Sequence, residues 1–190
     1  MTIDWYGRYV TRMNNHYRKH MANYYQPFFH ILSQQAPATA SVAEFGCGAA
    51  NVSRILAEQY FARNYHYLLL DNCLEMLQLA SNNMCACYGA HFEVINHDMR
   101  KTAPAVSDVG LIYSHGVLEH FPDDEIRSIL MHQRAISNRL VHYVPTDHYE
   151  APSFGDERLL PAQYWVDTFR PDTWCAFNEG KDLVLIWKQD

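Results

Sequence analysis

One turn constrains this chain more than any other feature. Val42-Ala43-Glu44-Phe45 is a short, largely apolar run that enters Gly46-Cys47-Gly48-Ala49-Ala50, after which Asn51 opens a segment of helical pattern. Glycines permit a tight turn and let a ligand approach the backbone, while a helix N-terminus presents unpaired N–H groups. By itself a GxG is also the mark of an ordinary strand-to-helix turn. Asp71 gives it weight. It stands 23 residues after Gly48, at the end of the next apolar run, where a carboxylate can accept from both hydroxyls of a ribose.

Around this turn the pattern alternates. Short apolar runs at 41–45, 65–70, 91–95, 109–113 and 140–144 read as strands, and segments at 51–61, 74–85 and 123–137 read as helices, the last with Pro122 before it. A short helix at 161–169 opens on Pro161, a favoured first-turn residue. Two closing strands, 174–177 and 183–188, flank Asn178-Glu179-Gly180-Lys181, which has hairpin chemistry. Strands alternating with helices predict an α/β fold: a seven-stranded, mostly parallel sheet with helices on both faces and an antiparallel C-terminal hairpin strand. At 190 residues the chain is the size of one domain.

The first 36 residues form a distinct segment, expected to be a helical cap on a main domain spanning 37–190. Tyr17, Met21, Tyr24, Tyr25, Phe28 and Phe29 recur at spacings of three and four, which predicts one apolar helical face. A shorter helix is expected around Trp5 to Met13, and Pro37 ends the region. Arg8, Arg12, Arg18 and Lys19 against Asp4 make the first 35 residues +3 and leave −9 on the rest, for a net −6. The basic side chains are expected on a solvated face. An acidic total argues against a nucleic-acid binder, which needs dense cationic surface to displace counterions. Five cysteines without a CxxC pair point to a reducing compartment rather than a disulfide scaffold. No run is long and apolar enough to span a bilayer, and the N-terminus lacks a secretory pattern. The expectation is a cytoplasmic monomer or homodimer without membrane, nucleic-acid or metal partners; His16 and His20 share a helical face, but no third ligand accompanies them.

The motifs together resemble the class I S-adenosylmethionine-dependent methyltransferases, a Rossmann-like family. Glu44-Phe45-Gly46-Cys47-Gly48 is similar to the family's first motif, and Leu70-Asp71 to its second-strand acid. His97-Asp98-Met99 is similar to the segment that holds the adenine, and Tyr113-Ser114-His115-Gly116-Val117-Leu118-Glu119-His120 to the fourth-strand motif. The pattern departs at the third glycine, where Ala50 stands and narrows the room beside the cofactor.

The resemblance implies a role for each matched residue. Glu44 would sit under the methionine amino group, and the backbone of Gly46, Cys47 and Gly48 would pass beside the homocysteine moiety. Asp71 would hold the ribose and Asn72 the adenine edge. Asp98 would accept from the adenine amino group, the Met99 backbone would donate to a ring nitrogen, and Ser114 would line the cofactor near the sulfonium. Physically, an acidic, aromatic pocket suits a sulfonium cation. Methyl transfer is an in-line displacement that chiefly needs a nucleophile held about 3 Å from the methyl carbon, and a general base only where the acceptor must lose a proton.

Outside the shared motifs, His115 and Glu119 are candidate catalytic groups, although a Glu at a helix start is often only a cap. Tyr6, Tyr9, Tyr17, His148 and Tyr149 are candidates for the acceptor pocket, while Phe28 and Phe29 are expected in the core. Asp156, Glu157 and Arg158 read as a solvated, mutually paired loop. The expected activity is methyl transfer from S-adenosylmethionine to a small molecule, with S-adenosylhomocysteine as product. Its alternatives are cyclase or lyase chemistry on the cofactor alone, or a non-catalytic cofactor-binding partner subunit.

Overall fold

The computed structural model describes residues 4–10, 14–38, 41–61, 65–102, 104, 106, 109–152 and 156–189. Seven strands form one sheet: β1 (Ser41–Phe45), β2 (His66–Asp71), β3 (His91–Asn96), β4 (Val109–His115), β5 (Arg139–Pro145), β6 (Thr173–Phe177) and β7 (Asp182–Lys188). Their order across the sheet is β3-β2-β1-β4-β5-β7-β6. The first five are mutually parallel, and β7 runs antiparallel to both β5 and β6. This is the mostly parallel α/β sheet with a closing hairpin that the alternation of strands and helices predicts. The order reverses between β1 and β4, and ligands of such sheets bind outside the strand ends at that switch.

Period-2 alternation divides the central strands between two cores. Val42, Leu69, Leu111, Tyr113, Val141 and Tyr143 face one cluster, while Ala43, Leu68, Leu70, Ile112, Leu140 and Leu185 face the other. Helices α4 (Asn51–Ile55) and α5 (Leu74–Cys85) cover the first face, and α6 (Asp123–Arg134) and α7 (Ala162–Phe169) the second. The chain after Ile55 widens into a π-helical turn, Leu56–Tyr60, where the sequence predicts uninterrupted α-helix; the Phe61 N–H reaches back five residues to Leu56 O at 2.8 Å.

The N-terminal segment forms three helices, α1 (Trp5–Tyr9), α2 (Asn15–Tyr24) and α3 (Gln26–Gln35). The apolar face expected to be continuous from Tyr17 to Phe29 is broken at Tyr25 (φ −99°, ψ 23°), because Pro27 stands in the first turn of α3 and cannot continue a preceding helix. Asn14 caps α2 by accepting from the Tyr17 N–H at 2.8 Å. Phe28, Phe29 and Leu32 of α3 are fully buried in the first core. Of the helix expected over Trp5–Met13, residues 11–13 lie outside the described residues.

The basic face of this segment is not solvated at Arg18. Its guanidinium is buried, donating to Asn83 Oδ1 at 3.3 Å and to Asn15. Asn83, on α5, also accepts from Arg54 and donates to the Ala49 carbonyl at 2.8 Å. One buried amide thus ties α2 to the glycine turn after β1.

Candidate active site

A cleft of about 670 Å³ opens where the C-terminal ends of β1, β2, β4 and β5 meet α2. Its floor is the glycine turn. Gly46 and Gly48 both have positive φ, +66° and +51°. A Cβ on Gly46 would stand 2.9 Å from both methyls of Val117, so no other residue fits without displacing that side chain. Ala50, the departure from the family pattern, holds a left-handed conformation (φ 54°) as it caps α4, a strained geometry for a residue with a Cβ.

Two hydrogen bonds lock the turn to the end of β2. The Cys47 N–H donates to Leu70 O at 2.9 Å, and the Gly48 N–H donates to Asp71 Oδ2 at 2.9 Å. Asp71 Oδ1 accepts from the Cys73 N–H at 2.9 Å. Burial pushes the Asp71 carboxyl above its ordinary pKa, against these backbone donors. The carboxylate has about four lone-pair sites and so keeps acceptor capacity for a ligand hydroxyl beside its backbone donors. Asn72 lies exposed beside it on the cleft wall.

Glu44 lines the cleft, but its carboxylate is already engaged. It accepts from the Ser53 N–H at 3.1 Å and from the Ser53 hydroxyl, which also contacts the Tyr113 phenol at 2.7 Å. It therefore satisfies the first turn of α4 from below. Burial pushes its pKa to about 8. Asp98 and Met99 also line the cleft. Asp98 is clamped by Arg100 through Nε and Nη2 at 2.9 and 2.7 Å, which holds its carboxyl below the ordinary range and keeps it charged.

Three candidates sit elsewhere than the sequence suggests. Ser114 lies between Tyr113 and His115 on β4, so alternation turns it to the opposite face, where its fully buried Oγ meets His142 Nδ1 at 2.7 Å. It is not part of the cleft wall. His148 is exposed, its Nδ1 at 2.9 Å from Glu179 O and its ring packed on the Gly180 turn of the closing hairpin. Tyr6 of α1 is 42% exposed and outside the cleft.

The remaining candidates converge. Tyr9 and Tyr17 line the cleft with Tyr24 of α2 and Tyr25 at the break after it. Register pairs His115 with Tyr143, and their rings stack at 4.2 Å and 17°. Tyr25 meets His115 edge-on at 4.4 Å. Burial lowers the His115 pKa to about 3, so the ring is neutral and a weak base. Glu119, on a 3-10 turn at Leu118–His120, is 2% exposed and lines the cleft, and its Oε2 has no hydrogen-bond partner. Its pKa rises to about 8 through burial, with added repulsion from Glu157 and Asp156.

Sequence reasoning missed the group behind the tyrosines. Asp182, at the start of β7, is fully buried and accepts from the Tyr143 and Tyr149 phenols at 2.6 and 2.7 Å and from the Asn178 amide at 2.5 Å. The Tyr149 hydroxyl lies 3.2 Å from that of Tyr24, joining α2 to this network. The loop expected as a solvated cluster is also partly enclosed: Glu157 is buried, Asp156 pairs with His120 at 2.8 Å, and Arg158 turns to Asp123 at 2.6 Å instead of to its neighbouring acids.

The chain belongs to the methyltransferase-domain family, which matches residues 42–139. No curated protein matches by sequence. Its structure is similar to the mitomycin 7-O-methyltransferase MmcR, with a TM-score of 0.68 at 12% identity over 91% of this chain and 56% of that one. An S-adenosylmethionine-dependent methyltransferase from Clostridium acetobutylicum aligns with a TM-score of 0.66 at 10% identity, covering 84% of this chain and 89% of that one. The small RNA methyltransferase HEN1 gives 0.71 at 12% identity, over 87% of this chain and 25% of that one. At such identities the likeness is one of fold, and the chain spans just over half the length of the mitomycin enzyme. Family and fold place the chain among methyltransferase domains built on a Rossmann-like sheet.

Proposed function

We propose that this chain binds S-adenosylmethionine along the β1–β2–β3 side of the cleft and methylates a small molecule admitted beside His115, Tyr25 and Tyr143. One observation carries the reading: the glycine turn, Asp71, Asp98 and the aromatic wall line a single cleft. The residues suit the cofactor. Gly46 and Gly48 hold the positive-φ turn that lines the cleft, Asp71 keeps acceptor capacity for a ribose hydroxyl, and the charged Asp98 can accept from an adenine amino group. When bound, the cofactor supplies an electrophilic methyl group on a cationic sulfur.

The chain's own work is to position and to exclude water. α2 covers the glycine turn through the Arg18–Asn83–Ala49 contacts, and its Tyr17 and Tyr24, with Tyr25 just after it, close the cleft from above. Holding a nucleophile in line with the methyl carbon replaces a bimolecular encounter, the main source of acceleration in such a displacement. A small acceptor is favoured by size and charge: about 670 Å³ is within the range of small-molecule sites, roughly 300–1,000 Å³, and the chain carries a net −6. Methyl-labelled S-adenosylmethionine offered together with low-molecular-weight extract, total RNA and total protein tests this. Label is expected in the low-molecular-weight fraction, whereas label in RNA or protein, or methylthioadenosine formed without any acceptor, would overturn it.

A further inference from the structure

Resting on that reading, we propose that the acceptor is an amine, bound as its cation between the Glu119 carboxylate and the ring wall of Tyr143, His115 and Tyr25. Glu119 lines the cleft at 2% exposure with Oε2 unpartnered. A buried carboxyl without a partner is costly, and a ligand that donates to it removes that cost. The carboxylate and the rings adjoin across Gly116: a Cβ there would lie 3.3 Å from Glu119 Oε1 and 4.0 Å from Tyr143 Cε1. The wall continues from Tyr143 to His115 and Tyr25 at ring separations of 4.2 and 4.4 Å.

The surrounding charges decide the ligand class. Among the described residues lining the cleft, Arg100 is the only Arg or Lys, and it is clamped on Asp98. Arg158, whose backbone N–H donates to Glu119 O, directs its guanidinium to Asp123 and the Phe121 carbonyl. His120 is paired with Asp156, while Glu157 and Asp156 add negative potential at Glu119. A carboxylate or phosphate acceptor would meet repulsion here. An ammonium gains a charge-assisted hydrogen bond and ring faces. The His115 Nε2, also without a partner, can accept one of its N–H groups.

The chemistry closes on the same residue. The bound ammonium gives one proton to the Glu119 carboxylate, and the lone pair so freed forms the N–C bond to the methyl carbon. The carbon–sulfur bond breaks with its electron pair remaining on sulfur. The N-methylammonium departs and Glu119 returns its proton to water. Its ordinary pKa of 4.5, raised to about 8, suits a group that must take and release a proton near neutrality.

Calorimetry on protein saturated with S-adenosylhomocysteine, with phenethylamine, 2-phenylethanol and phenylacetate as matched probes, tests the assignment. The amine is expected to bind about tenfold tighter than the alcohol, on the order of one charge-assisted hydrogen bond, and phenylacetate weakest. Glu119→Gln should bind S-adenosylhomocysteine as the parent does yet lose the preference for amine over alcohol. Equal or tighter binding of the alcohol, or an amine preference that survives in E119Q, would overturn the proposal. Failure of the parent to bind S-adenosylhomocysteine would overturn the methyltransferase reading beneath it.

Discussion

Asp182 accepts three hydrogen bonds with no exposed surface, so it fixes Tyr143 and Tyr149 at the acceptor end of the cleft without entering it. Asp182→Ala strands the buried Tyr143 phenol, the half-buried Tyr149 phenol and an amide, and it should lower unfolding free energy by about 3 kcal/mol in urea titration, against about a third of that for Asp182→Asn, which keeps an acceptor. An Ala variant within about 0.5 kcal/mol of the parent would show that the network carries no stability. This carboxylate was not legible in the sequence, because its two tyrosine partners are 33 and 39 residues away and meet it only when β5 and β7 pair. Asp71 was legible, since strand, turn and acid occur within one β-α-β unit. Ser114 was misplaced for a reason the sequence does contain: a strand alternates its faces, so Tyr113 and His115 cannot share one with the residue between them.

At the scale of elements, the hydrophobic pattern found all seven strands and the helices after them, because burial on a two-faced sheet imposes period 2 and helical crossovers impose 3.6. Breaks within helices were harder to see. The π-helical turn at Leu56–Tyr60 has no compositional signature, and the interruption at Tyr25 depended on reading Pro27 as a first-turn residue. The role of α2 as a roof was hidden in Arg18, a charged residue on what looked like a solvated face. Its partner Asn83 links four groups across α2, α4, α5 and the glycine turn. Asn83→Ala should therefore cost about 2 kcal/mol of stability and, in addition, raise hydrogen exchange in residues 15–24. Unchanged exchange in α2 would mean that the helix is held by its apolar face alone.

Over the whole molecule the buried ionisable groups set an unusual pH response. Glu44 and Glu119, both shifted from 4.5 to about 8, bind protons more tightly when folded, so their contribution to stability is lost as pH rises through that interval. His115 and His142, lowered from 6.5 to about 3, act in the opposite sense, and their contribution is fully present above 6.5. Among the groups named, only the carboxyls act between 6.5 and 8, so stability should fall as pH rises across that window, by about 1.4 kcal/mol per pH unit per group at most. Chemical denaturation at a series of pH values checks this; stability that is flat or rising from pH 6.5 to 8 would contradict it.

The central claim is that the glycine turn and Asp71 form a cofactor site, and titration calorimetry with S-adenosylhomocysteine addresses it most directly. One molecule should bind per chain, and Asp71→Asn should weaken binding at least about thirtyfold, because the amide loses acceptor capacity toward the ribose and the Gly48 N–H together. Absence of binding by the parent chain, or equal affinity in the Asn variant, would contradict the account.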